Sequence, residues 1–182
     1  MKLNRIKALC MENKRFEIVN GHGCQWFGNG QHFYRVYGAR LQIDELDKLL
    51  SVRDSKAAEC EWNLCDEADS EAWRDVPLKD DREVTPVADV WGYDQQLLAL
   101  DYAGRVLYLR YAALTPLEPN TRRAYYLRNV GGVLRVACVS GMLVEALLEP
   151  VDWDDALTLT QALGRVAAMP TFDPRGAARE VI

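Results

Sequence analysis

The sequence predicts an α+β protein, a mainly antiparallel sheet with about three helices, and three observations carry that expectation. Four apolar segments follow one another between Leu97 and Leu148. They are separated by Asp101-Tyr-Ala-Gly104, Thr115-Pro-Leu-Glu-Pro119 and Asn129-Val-Gly-Gly132, the glycine and proline chemistry of reversing turns. Two Asn-Gly pairs, Asn20-Gly21 and Asn29-Gly30, signal tight hairpins nearer the N-terminus. Helical spacing of apolar residues is confined to three stretches.

Taken in order, Asn4 to Asn13 form a short helix with Ile6, Leu9 and Cys10 on one face, and a helix this short needs a sheet to lean on. Arg15 to Val19 reads as a strand in which Phe16 and Ile18 alternate with charge. Cys24 to Phe27 and His32 to Tyr37 complete a three-stranded meander. Leu41 to Leu50 is a second helix, with Ile43, Leu46, Leu49 and Leu50 on one face and Asp44 and Glu45 at the positive end of its dipole. Cys60, Trp62 and Leu64 alternate with Glu61, Asn63 and Cys65 in one half-buried strand, and Ser70 to Val84 is a loop anchored by Trp73. The central strands follow at 97–100, 105–111, 124–128 and 133–148. Asp152 caps a last helix from Trp153 to about Ala168, with Ala156, Leu159, Leu163, Val166 and Ala167 as its buried stripe. The tail 171–182 is loosely held.

The 182 residues suit one domain over 1–170, its halves 1–52 and 84–170 joined through an acidic insert at 53–83. With 49% apolar and 27% charged residues the composition is that of a globular protein. No apolar run approaches the roughly 20 residues of a membrane span. The first residues carry charge without an apolar segment behind it, so a cytoplasmic protein with no membrane partner is expected. Five cysteines in no framework spacing point to reduced, packed thiols.

The formal charge of −5 is unevenly spread. From Arg53 to Glu83 there are eleven acidic and five basic residues, whereas Tyr102 to Val144 holds six arginines against Glu118 alone. Arg105, Arg110, Arg122, Arg123, Arg128 and Arg135, interleaved with tyrosine, are the candidate nucleic-acid-binding residues, suited to a phosphate backbone or an acidic partner. The same pattern fits a solvated sheet face with some arginines pairing with the insert. Trp62 and Trp73 are the candidate protein-contact residues of the acidic insert.

Other chemistry finds little footing. His22-Gly-Cys24 and Cys60-x4-Cys65 lack the four paired ligands of structural zinc, so neither metal nor cofactor is expected. Gly21, Gly23, Gly28 and Gly30 precede strands, whereas a phosphate-cradling loop leads into a helix. The acidic pairs Asp80-Asp81 and Asp154-Asp155 read as loop and helix cap. His22 and Cys24, two apart on one strand, would share a face and leave a small cysteine enzyme as a third reading behind two non-enzymatic ones.

Laying 15–50 on 126–161 places Gly21 on Gly132, Gly30 on Gly141 and Asp44 on Asp155, with the same order of three strands, two glycine turns and a helix. Two unrelated meanders give the same order. Such a unit resembles the half-domain of DNA polymerase processivity clamps, where a similar turn often reads Asp-Gly-x-x-Leu. The matching positions here are Asn29-Gly30-Gln31-His32-Phe33 and Ser140-Gly141-Met142-Leu143-Val144, without the aspartate. The chain also resembles, in overall texture, small proteins encoded in prophages and mobile elements of Gram-positive bacteria. The resemblance implies a non-enzymatic, DNA-associated binding module in phage or mobile-element replication, working as a closed ring of several copies. A protein–protein interaction or assembly factor using the acidic insert is the alternative.

Overall fold

The computed structural model describes residues 2–38, 40, 42, 59–67, 69–92 and 95–151. The helices expected at 41–50 and 153–168 and the tail 171–182 fall outside the described residues. Helix α1 spans Leu3–Glu12 and buries Ile6 and Cys10. It ends at Asn13, and Lys14 at φ 52° turns the chain directly into strand β1, Arg15–Asn20. Strands β2 (Gln25–Gly28) and β3 (His32–Val36) pair antiparallel behind it. At their turn the Asn29 side-chain oxygen accepts the N–H groups of Gln31 and His32, and Gly30 takes φ 88°, a conformation that favours glycine.

Strand β4 (Glu61–Asp66) lies parallel to β1 in an otherwise antiparallel arrangement. Strands β5 (Arg82–Gly92), β6 (Gln95–Tyr102) and β7 (Arg105–Arg110) follow, then the one-turn helix α2 (Tyr111–Leu114). Strands β8 (Ala124–Val130), β9 (Val133–Ser140) and β10 (Leu143–Leu148) close the series. The ten strands form one sheet in the order β4-β1-β2-β3-β10-β9-β8-β5-β6-β7. The α+β class and the antiparallel sheet expected from the sequence are therefore present.

The start of β5 replaces the end of the loop expected over Ser70 to Val84. Pro86 lacks an N–H and argues against a strand, and the structure accommodates it where the register slips between Pro86 and Ala88. Residues 82–84 pair with β8, and the rest of the strand pairs with β6. Tyr111, expected to finish β7, instead begins α2.

Both faces of the sheet's middle are covered. On one face Phe16, Ile18, Phe27, Tyr34, Leu127 and Val136 pack with Ile6 and Cys10 of α1, and with Leu98, Leu100, Leu109, Ala113 and Leu114 of β6, β7 and α2. On the other, Val19, Trp26, Phe33, Ala137, Val144 and Leu147 pack around Trp73. Alternation with an outward charged face therefore fails in β1, where Glu17 is buried beside Val19.

The two meanders, β1–β3 and β8–β10, adjoin through antiparallel pairing of β3 with β10, Phe33 opposite Leu147. Gly30 and Gly141 both have positive φ. Gly132 does too, whereas Gly21 is small for a different reason: a Cβ there would stand 2.6 Å from the Trp73 carbonyl oxygen.

Candidate functional site

The six arginines singled out by charge divide into two groups. Arg105, Arg110 and Arg122 are exposed. Arg105 and Arg110 stand five apart on β7 and so point to opposite faces of the sheet. The other three are inside. Arg123, whose side chain is 7% exposed, meets Glu145 at 3.2 Å and donates to the Glu118 carbonyl at 2.6 Å. Arg128 donates to both carboxylate oxygens of Asp81, at 2.9 and 2.6 Å, and to the carbonyls of Arg74 and Val76, each at 2.7 Å. Arg135 donates to the carbonyls of Val130 and Gly30 and lies over the rings of Phe33 and Trp73. No single basic face collects all six.

Arg128 holds the acidic insert through Asp81 and backbone carbonyls, and Arg135 meets it through the Trp73 ring. The insert's segment from Ala72 to Asp81 lies across the second face of the sheet. Trp73 meets Phe33 edge-on at 4.9 Å, and its carbonyl accepts both the Trp26 indole N–H at 2.8 Å and the Cys24 thiol. Arg35 binds Asp75 at 2.5 Å, and the Val144 N–H donates to the Asp75 carbonyl. Trp73 is buried, and Trp62 stacks on Phe16 with centroids 4.3 Å apart. Trp73 thus serves the interior, whereas Trp62 is half-buried on the edge strand β4. Around Cys24, burial first and the Asp75 carboxylate second raise the thiol pKa, so this sulfur is not activated as a nucleophile.

A cleft of about 470 Å³, within the size range of ligand sites, opens where the N-terminus of α1 meets the loop after α2. Leu98, Leu114 and Leu117 form its apolar part, and Tyr111 and Tyr125 line it. The loop is built before any ligand arrives. The Tyr34 hydroxyl donates to the Ala113 carbonyl at 2.7 Å, and the Lys2 N–H donates to the Pro116 carbonyl at 2.8 Å. Asn120 accepts the Arg122 N–H and donates to Ser140, while Arg123 closes the loop on Glu118. The Tyr111 hydroxyl donates to Asp89 at 2.7 Å, and burial together with that carboxylate pushes its pKa up to about 12. Burial likewise raises Tyr125.

Both phenols are therefore neutral, and charge in the cleft comes from Lys2, Arg5, Arg123 and Glu118. Arg123 is committed to Glu145. Among the described residues, no ion pair engages Lys2 or Arg5. The cleft thus joins an apolar floor to two available cations.

No family model, curated protein or solved structure matches this chain. The cleft was not legible in the sequence, because Lys2 and Arg5 are more than a hundred positions from the loop they face. Thr115-Pro-Leu-Glu-Pro119 gave the only hint, a turn rich in proline.

Proposed function

We propose that this chain is a non-enzymatic binding module that holds an acidic, apolar-anchored segment of a partner protein in the cleft between α1 and the 115–123 loop. One observation carries the reading. Lys2 and Arg5 stand beside an apolar floor on a loop already fixed by hydrogen bonds, so binding loses little conformational freedom. An acidic side chain reaching the rim would meet a charge, and an apolar one would fill the space over Leu114 and Leu117. Selection from a displayed library of acidic peptides should return binders whose affinity falls about tenfold with Arg5→Glu and further with Lys2→Glu added. Binders indifferent to both changes would remove the reading.

A second reading, a clamp-like module associated with DNA in phage or mobile-element replication, draws support from the side-by-side placement of the two meanders across β3 and β10. Its basic contacts would be the exposed Arg105, Arg110 and Arg122. It requires DNA retention at low salt that falls steeply as salt rises and weakens with Arg110→Glu. It also requires a solution mass of several copies in a closed ring. A monomer that ignores DNA at low salt would dismiss it.

A further inference from the structure

We propose that a second, smaller pocket, at the open end of the β2–β3 hairpin, binds the phosphoryl group of a small molecule. The pocket has a volume of about 220 Å³ and is lined by Gly23, Cys24 and Gln25 on one side and by Arg35, Tyr37 and Arg40 among the residues on the other. That is room for a phosphoryl group and a few atoms of whatever carries it. Its charge is one-sided: two arginines line it, and no acidic residue does among the described residues.

Arg35 supplies the decisive detail. Its Nη2 reaches Asp75 at 2.5 Å, but its Nε–H and Nη1 donors are buried and have no acceptor among the described residues. Buried donors are almost always satisfied in folded proteins, because leaving one unmade is costly. The single negative charge of Asp75 balances one of the two guanidinium groups, leaving Arg40, which is exposed, as surplus positive charge at the same pocket. A phosphoryl group supplies acceptors for the unpartnered donors and at least the one negative charge that Arg40 leaves unbalanced, and arginine is suited to hold it.

Tyr37 lines the same pocket: its ring lies 4.5 Å from the Arg35 guanidinium carbon, and the residue is 51% exposed, so it has space to move when a ligand enters. Cys24 takes no part in chemistry here, because its thiol already donates to the Trp73 carbonyl. The site is one of binding alone, and it stands apart from the cleft over Leu114, so either can fail without the other.

Titration of the full chain with inorganic phosphate and with methyl phosphate, at ionic strength held constant by chloride and followed by amide chemical shifts, tests the proposal. Saturable shifts are expected at residues 23–25 and 35–40, with both ligands. Arg40→Gln, a change at an exposed position, should weaken each about tenfold while leaving the remaining spectrum unchanged. Arg35→Lys, which keeps the charge toward Asp75 but removes the donor fork, should weaken them at least as much. Absence of saturable shifts, equal affinity in Arg40→Gln, or equal affinity for acetate would overturn the assignment.

Discussion

Arg128 and Arg135 stand directly opposite one another on β8 and β9, both buried and on the same face of the sheet. Like charges in direct cross-strand register repel, and more strongly away from water. The structure resolves the conflict from above. Asp81 and backbone carbonyls of the acidic insert take Arg128, while carbonyls at two turns and the rings of Phe33 and Trp73 take Arg135. One acid of the insert, Asp81, and one arginine of the strands, Arg128, are thus two parts of one packed interior.

Breaking that arrangement on one side should be severe. Arg128 and Asp81 side chains are 2% and 3% exposed, so Arg128→Met leaves a buried carboxylate and several carbonyls without donors. A loss of about 3–5 kcal/mol is expected in denaturant unfolding. Adding Asp81→Leu should recover part of it, because the stranded charge is then gone. A surface arginine that contacted only an external partner would instead leave stability within about 0.5 kcal/mol.

Trp73→Ala is the corresponding test of the cover itself. The indole is 8% exposed, packs against Phe33 and Trp26, and holds its own segment over the second face. Its truncation should cost about 3–5 kcal/mol. A variant of native stability that had lost a binding partner would assign this side chain to an external contact instead.

These placements mark what the sequence conveyed and what it withheld. Asn29-Gly30 announced its turn because the asparagine oxygen and the positive φ of glycine are local requirements, and the strands from Leu97 onward announced themselves by turn chemistry at each end. Strand β5 was hidden by Pro86, a residue whose strand-breaking effect is absorbed by a register slip visible only in pairing. Arginine counts could not tell Arg110, in solvent, from Arg128, inside, because that depends on which distant segment lies over each strand. The cleft is likewise a meeting of remote parts: α1 reaches the 115–123 loop through Lys2 and Pro116.

His32 gives the fold a pH dependence of definite sign. It is buried, its Nδ1 accepts the Glu149 N–H at 3.3 Å, and burial, then the charges of Arg110 and Arg135, lower its pKa from 6.5 to about 4. The unfolded chain takes up the proton near the ordinary value and the folded chain only near the lowered one. The contribution is therefore complete above about 6.5 and lost as pH falls toward 4, up to about 3 kcal/mol in all. His32→Gln, which retains an acceptor, should flatten that part of the stability curve. Parallel curves for the two proteins between pH 7 and 4 would show that His32 titrates normally.

The central functional claim is that the cleft between α1 and the 115–123 loop, and not the arginine-bearing strands, is where a partner docks. Amide chemical-shift mapping of a selected acidic peptide tests it most directly. Perturbations should centre on residues 2–5, 111–118 and 120–125, and should vanish at the same peptide concentration in Lys2→Glu/Arg5→Glu. Perturbations centred on β7 around Arg105 and Arg110, with 2–5 and 114–118 unmoved, would contradict it.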